Sequence, residues 1–340
     1  MCDGWIVFKV KEGDRVHKGV ILDVSYGRFD SGAATFATIF VDEDDPDNIY
    51  LYYTGAEDTH WSHSSIGLAT STDGINFRKA DELNPIIENQ RTSFCSKGAR
   101  TPAVTRVGNH FYMILAGIPS LWKGRRIGVA YADDPRGPWR IIGELIRPEK
   151  YWEGNDIDLG PRVTKINESE LIVYYSNVSN KWRARLLFGP RFLLRKIGIL
   201  KLKITSPSSI EAYRYESNPL YHLNGPKGSW NESLFCPGHL KIQDAHCLFP
   251  AASTYSMGFP CKQYIGIVTD SSPYFQEPQQ TNILINGPTE KNKIIPTIRS
   301  EIALDTPCPL VRKNKLFLYY AVMDRADGVW KTALTIFNIR

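Results

Sequence analysis

The chain has 340 residues, of which 42% are hydrophobic and 23% are charged, and its net charge is +5. This composition is ordinary for a globular protein with a large apolar core, and it excludes a collagen-like or a disordered chain. The positive charge is too small to indicate nucleic-acid binding, although it suits an acidic glycan or a phosphate.

The N-terminal sequence MCDGWIVFKV has neither the basic nor the apolar region of a signal peptide, so we expect a cytoplasmic protein. No apolar run is long enough for a transmembrane helix. The six cysteines show neither the paired spacing of a metal site nor a dense disulfide pattern. We therefore expect no metal and no cofactor.

A strand pattern recurs along the whole sequence. Its first clear copy spans residues 49–78, where the aromatic strand IYLYYTG is followed by a polar loop, the strand IGLA and the turn STDG. Later copies of the Ile-Gly strand begin at Ile127, Ile197 and Ile265, so that from Ile66 the steps are 61, 70 and 68 residues. Short strands repeated at such a period are typical of propeller blades.

The repeat predicts a single all-β domain, a five-bladed β-propeller that covers residues 1–340. The predicted blades are 30–88, 94–147, 151–224, 228–288 and 294–340, and residues 1–29 are predicted to supply a strand that closes the ring. A blade cannot bury both faces of its own sheet, so the blades must stack around one continuous core.

One segment interrupts the third predicted blade. Residues 181–196, KWRARLLFGPRFLLRK, are basic and apolar, as in segments that lie on membrane surfaces. Gly189-Pro190 would break a helix there. We interpret the segment as an inserted loop and leave contact with a membrane surface as the alternative.

Charged residues precede the innermost strand of each predicted blade. These strands run in one direction along the axis of a propeller, so the residues before them converge at one mouth of the ring. The set contains four carboxylates and one guanidinium: Asp30, Arg100, Asp158, Glu232 and Asp305. Turn capping explains any one of them, but a converging set indicates a functional site.

The blade repeat and these acids resemble the five-bladed propeller glycosidases, namely glycoside hydrolase family 43 and its relatives in families 32, 68 and 130. The resemblance implies a glycosidase that acts on a carbohydrate substrate. It also implies that Asp30 is the general base, that Asp158 orients and tunes the acid, and that Glu232 is the general acid. An inverting enzyme of this kind needs its two carboxyl groups roughly 6.5–9.5 Å apart.

Further residues are predicted to bind substrate. Arg100 would hold a hydroxyl or an acidic substituent, and Asp305 completes the set at the mouth. Trp61 and Trp230, together with Trp122, are placed where they could stack on sugar rings.

The sequence departs from the family pattern at the prolines of the inner strands. The family often places its acids directly before these prolines, whereas Thr101, Gly160, Cys236 and Cys308 precede them here.

Two alternatives remain open from the sequence. A phosphorylase of the family 130 type would need a cluster of cations, for which Arg100, Lys97, Arg162 and His239 are available. A non-catalytic propeller that binds glycans or acts as a scaffold is the other, because a fold does not determine a function.

Overall fold

The computed structural model describes residues 14–88, 94–120, 123–179, 194–256, 259–287, 301–324 and 327–339. The regular structure of these residues consists of β-strands and of short 3-10 turns at Tyr151–Glu153 and Tyr221–Leu223. The prediction of an all-β protein is confirmed. Within these ranges, no helix has the length and apolar character needed to cross a bilayer.

The strands form antiparallel groups of four that follow one another along the sequence. An N-terminal strand, β1 (Asp14–Leu22), precedes the first group. The first group contains β2 (Ala33–Asp42), β3 (Asp45–Ala56), β4 (Ser64–Ser71) and β5 (Arg78–Lys79). The second contains β6 (Gly98–Val107), β7 (His110–Ile118), β8 (Arg126–Ala132) and β9 (Arg140–Ile146).

The third group contains β10 (Asp156–Lys165), β11 (Glu170–Ser179), β12 (Ile197–Ser206) and β13 (Ser209–Arg214). The fourth contains β14 (Ser233–Ile242), β15 (Ala245–Ser256), β16 (Phe259–Asp270) and β17 (Gln280–Asn286). The fifth contains β18 (Glu301–Arg312), β19 (Lys315–Asp324) and β20 (Trp330–Asn338). The strand β1 pairs antiparallel with β20, so the N-terminal segment supplies the outer strand of this last group.

The first strands of the groups pack against each other in turn. Contacts join β2 to β6, β6 to β10, β10 to β14 and β14 to β18, and β18 also contacts β2. The residues at the beginnings of these strands are thereby brought together from all parts of the sequence.

Tyrosines of the second strands connect neighbouring groups. Tyr52 donates a hydrogen bond to the Pro135 carbonyl at 2.7 Å, and Tyr174 donates to the Pro273 carbonyl at 2.5 Å. Tyr319 of the last group donates to the Gly74 carbonyl of the first group at 2.7 Å. Each tyrosine thus places its ring in the apolar core and its hydroxyl on a turn of the next group, which suits its amphipathic character.

The Ile-Gly repeat has a packing origin. A Cβ atom added to Gly128 would lie 2.1 Å from Cζ of Phe94, and one added to Gly198 would lie 2.6 Å from the ring of Trp152. Gly67 in the first group and Gly266 in the fourth receive an aromatic ring in the same way. Glycine recurs on the third strand of the first four groups because an aromatic side chain packs there in each of them.

Candidate functional site

A backbone bulge lies near the beginning of each first strand. Non-glycine residues adopt positive φ at these bulges: Phe36 (50°), Thr101 (47°), Cys236 (43°) and Thr306 (48°). The ladder of β10 is interrupted at the corresponding place, between Leu159 and Val163. Bulges redirect side chains and are common beside active sites. The charged residues around these bulges are therefore the candidates for function.

Two carboxylates of β10 share one guanidinium. Arg125 donates to Asp156 from Nε at 3.0 Å and from Nη2 at 2.9 Å, and its Nη1 forms an ion pair with Asp158. Asp158 also accepts a hydrogen bond of 2.8 Å from the Thr101 hydroxyl. Burial disfavours the charge on Asp156, but the Arg125 guanidinium outweighs it and lowers the pKa of this carboxyl.

Asp305 on β18 has the opposite electrostatic setting. Burial raises the pKa of Asp305, and the negative charge of Asp158 adds to the rise, while Arg195 opposes it. The Arg195 guanidinium lies 4.0 Å from Oδ2 of Asp305. The other oxygen of Asp305, Oδ1, accepts hydrogen bonds from the backbone N–H and the hydroxyl of Thr306 at 2.7 and 3.1 Å. Asp305 and Asp156 thus have pKa values displaced in opposite directions, as expected for an acid and a base at one site.

A cavity of about 520 Å³ is lined by Asp156 and by its partner Arg125. Its lining includes four cationic side chains and one carboxylate: Lys97, Arg100, Lys123, Arg125 and Asp156.

Arg100 is held in this cavity by several contacts. Its guanidinium lies 4.3 Å from the centre of the Trp61 ring, and its Nε donates to the Ser64 hydroxyl at 3.1 Å. Burial lowers the pKa of Arg100 to about 10, and the neighbouring Arg125 charge acts in the same direction. The cavity therefore contains a positioned, partly desolvated cation.

Comparisons with known proteins agree with this architecture. Residues 17–183 match the model of the glycosyl hydrolases family 32 N-terminal domain. A glycosyl hydrolase from Bacteroides ovatus aligns with a TM-score of 0.61 at 12% identity, over 98% of this chain and 95% of that one. A family 117 glycoside hydrolase from Zobellia galactanivorans aligns with a TM-score of 0.60 at 12% identity, over 96% and 90% of the two chains.

The native arabinanase of Bacillus subtilis aligns with a TM-score of 0.58 at 13% identity, over 96% of both chains. No curated protein sequence matches this one. The protein therefore has the fold of these glycoside hydrolases, and slightly less than half of the chain matches the family 32 N-terminal domain. The resemblance drawn from the repeat is confirmed, and at these identities it describes the fold rather than the reaction.

The fold encloses Asp30 instead of presenting it at the cavity. Asp30 is 0% exposed, and its Oδ2 accepts hydrogen bonds from Lys79 at 2.5 Å and from the Tyr53 hydroxyl at 3.0 Å. The same arrangement recurs in the third group, where the buried Glu153 accepts from Tyr175 and Arg214 at 2.7 Å. These contacts hold the Asp30 carboxylate within its own strand group, away from the cavity.

Glu232 is also buried, at 3% exposure, and lies in the turn before β14. Its Oε2 accepts a hydrogen bond of 3.0 Å from the backbone N–H of Gly228. Its own N–H donates to the Ser229 carbonyl at 3.1 Å. These contacts fit a residue that caps the turn.

The predicted aromatic residues have different surroundings. Trp61 lines the cavity, and its ring stacks on Phe36 with centroids 5.5 Å apart. Trp230 packs instead over Gly266, where an added Cβ would meet the indole at 2.0 Å. Trp122 and residues 181–193 of the basic insert lie outside the described residues.

The cations considered for phosphate binding do not all meet. Lys97 and Arg100 line the cavity described above. Arg162 lines a separate cavity with Asp42 and Arg106, and the buried His239 contacts Thr164 and His246. Among the described residues, no group of three histidine, cysteine or acidic side chains is arranged to hold a metal ion.

Sequence reasoning missed Arg125, Lys123 and Asp156. Asp156 stands two residues before Asp158 in the sequence DID, and alternate residues of a strand share one face. That spacing was the available signal for a second carboxylate. Arg125 lies in the loop sequence KGRR, which carries no recognisable motif.

Proposed function

We propose that the protein is a glycoside hydrolase whose reaction takes place at the mouth beside Asp158 and Asp305. The observation that carries the proposal is the set of interactions around Asp158. It shares Arg125 with Asp156, whose pKa is lowered, and its negative charge contributes to the raised pKa of Asp305. Glycosidases need a protonated carboxyl group for the leaving oxygen and an ionised one on the other side of the sugar. Fold similarity to glycoside hydrolases supports the reaction class.

The scaffold for this reaction is a closed five-bladed propeller in which the five strand groups are the blades. Two observations favour closure. The first strand of the last group contacts that of the first group, and the Tyr319 hydroxyl donates to Gly74 across the same junction. In such a ring, β10 and β18 belong to blades that are not adjacent, so their carboxylates face each other across the axis.

Each carboxylate has a distinct role in this mechanism. Asp305 is the general acid, because its raised pKa keeps the proton that the leaving group needs. Asp158 tunes the acid, because its negative charge disfavours the ionised form of Asp305. Asp156 lines the cavity with a lowered pKa and acts as the base that activates water.

In this mechanism water attacks directly, so the anomeric configuration is inverted. Inversion requires the carboxyl groups of Asp305 and Asp156 to stand roughly 6.5–9.5 Å apart, with water between them.

Substrates with different leaving groups test these roles. Asp305→Asn should lower kcat on a natural glycan by roughly 100-fold or more, since general acid catalysis contributes that much. It should have little effect on a dinitrophenyl glycoside, whose leaving group needs no proton. In the wild type, activity should fall as pH rises through the raised pKa of Asp305, and Asp305→Asn should lose this limb.

Asp156→Asn is the matched variant, and it should be equally damaging on both substrates, because water activation is needed whatever leaves. An Asp305→Asn enzyme that cleaves both substrates at the wild-type rate would contradict the assignment.

One observation favours a non-catalytic glycan-binding propeller as a second candidate. The residues before the inner-strand prolines, where the family often places its acids, are Thr101, Gly160, Cys236 and Cys308. Binding of an oligosaccharide without any cleavage by the wild type would favour this candidate.

A further inference from the structure

The cavity contains more positive than negative charge. Of its charged lining residues, Asp156 is the carboxylate, and it shares the Arg125 guanidinium with Asp158. The remaining cations are Lys97 and Lys123, which are exposed, and Arg100, which is partly buried. This concentration of positive charge is a feature of the cavity, since the chain as a whole carries a net charge of only +5 over 340 residues.

Arg100 is the unusual member of the set. Its polar contacts are with neutral groups, the Ser64 hydroxyl at 3.1 Å and the Trp61 carbonyl at 3.4 Å. Within the described part of the chain, no carboxylate lies within ion-pair distance of its guanidinium. Asp158 and Asp156 attract this charge from beyond ion-pair distance, but burial and the Arg125 charge outweigh them. A partly desolvated cation without a directly paired counter-ion is costly to keep in a folded protein.

Other arginines of the same protein show the usual arrangement. Arg106, at the second cavity, forms ion pairs with Asp42 and Asp44, and Arg214 forms one with the buried Glu153. Arg100 is also held in place, because the Trp61 ring lies 4.3 Å from its guanidinium. Unlike the other two arginines, however, it lines a cavity instead of pairing with a carboxylate. This is the arrangement of a binding residue whose counter-ion is the ligand.

We propose that the cavity binds an oxyanion, with Arg100 as its principal ligand and Lys97 and Lys123 at the rim. The oxyanion is either the carboxylate of an acidic sugar or a free phosphate, since both match the forked donors of a guanidinium. The first source would make the substrate an acidic glycan and the second would make the reaction a phosphorolysis. Only this choice of source rests on the proposed function.

Calorimetric titration tests the site without relying on turnover. The probes are trigalacturonate, its uncharged methyl ester and inorganic phosphate, each at pH 7 and constant ionic strength. The wild type should bind trigalacturonate or phosphate, should bind the ester at least tenfold more weakly than the acid, and should lose affinity as salt is added. Trigalacturonate binding identifies an acidic sugar as the source, and binding of phosphate alone identifies phosphate.

Variants test the assigned residues. Arg100→Gln should weaken binding roughly 10- to 100-fold, the size expected for hydrogen bonds to a charged group. Arg100→Lys should recover only part of the loss, because an ammonium cannot form a forked contact. Lys97→Gln alters an exposed side chain, so it tests the site even if Arg100→Gln does not fold. Lys315→Gln is the charge-matched control, since Lys315 is exposed in the hairpin at the far end of β18.

Equal binding of the acid and its ester together with no binding of phosphate would overturn the proposal. So would unchanged oxyanion affinity in folded Arg100→Gln and Lys97→Gln. Oxyanion binding by a protein that cleaves no glycan would instead refute the proposed function and leave this site in place.

Discussion

The burial of Asp30 leads to a sharp prediction about stability. Asp30→Asn removes a negative charge that is 1% exposed in its side chain and is paired with Lys79 at 2.5 Å. If Asp30 is an anchor, the variant should unfold more easily and keep its activity at temperatures where it is folded. If Asp30 is a catalytic base, the variant should keep its stability and lose its activity.

The expected loss follows from the local contacts. Removing one partner of a buried ion pair costs about 3–5 kcal/mol in the free energy of unfolding. Lys79 retains hydrogen bonds to the Asp23 carbonyl at 2.5 Å and to the Ser25 hydroxyl at 2.8 Å, so we expect a value near the lower limit. For 340 residues, about 3 kcal/mol corresponds to a decrease of about 4 °C in Tm, given an unfolding entropy of about 2.1 cal/mol/K per residue.

Thermal and urea unfolding at pH 7 measure this loss. Lys79→Met should cost more than Asp30→Asn, because it leaves a buried carboxylate whose Oδ1 is already unpaired. The double variant should cost less than the sum of the single ones, since partners in one ion pair couple. The control Lys165→Met breaks an exposed pair with Glu168 and should change stability by less than about 1 kcal/mol. A stable, inactive Asp30→Asn protein would refute the anchor.

Two further predictions concern packing and pH. Gly128→Ala would place a Cβ 2.1 Å from the ring of Phe94, so it should lower the free energy of unfolding by about 1–3 kcal/mol. Adding Phe94→Leu to the same chain should recover part of this loss. An unchanged urea midpoint in Gly128→Ala would contradict the packing origin of the Ile-Gly repeat. Burial, with His246 and Arg162 nearby, holds the pKa of His239 well below its usual value of 6.5, so the unfolded state takes up a proton that the folded state refuses. Stability should therefore fall as pH drops below about 6.5, and this fall should be smaller in His239→Gln. Tm measurements between pH 8 and pH 5 test this. Equal pH dependence of Tm in the two proteins would contradict a lowered pKa of His239.

The repeat could be predicted from the sequence because its causes are local. Alternating aromatic and apolar residues, turn residues and the Ile-Gly step each act within one strand group, and each group repeats them. The glycine is required by one ring that packs on it, and both residues lie in the same group, as with Gly198 and Trp152. Local patterns of this kind can be recognised in a sequence even when neither the strand pairing nor its register is known.

The positions of the acids could not be predicted because they depend on the depth of each residue in its strand. Asp30 lies before β2 and Glu232 lies directly before β14, whereas Asp158 lies within β10 and Asp305 within β18. From the sequence alone, all four are predicted to lie ahead of an inner strand, and the two kinds of position cannot be distinguished. The structural counterpart of Asp30 in the third group is Glu153, since each follows an aromatic residue that packs on the group's glycine.

The backbone at the bulges is strained whatever side chain is present there. Positive φ costs about 1–3 kcal/mol for a bulky or β-branched residue, yet Phe36, Thr101 and Thr306 all adopt it. The Phe36 ring stacks on Trp61. The strain is therefore a property of the first strands in general. The side chain at each bulge determines which neighbouring group it contacts.

In this protein, two of the bulges serve carboxylates. The Thr101 hydroxyl donates to Asp158, and the N–H and hydroxyl of Thr306 donate to Asp305. These are also two acids whose charges interact, because the charge of Asp158 raises the pKa of Asp305. Threonine at a bulge thus orients a neighbouring carboxylate in place of an acid at the bulge itself. On this reasoning Thr101→Val, which keeps the shape and removes the donor, alters the surroundings of Asp158 without touching a charged group.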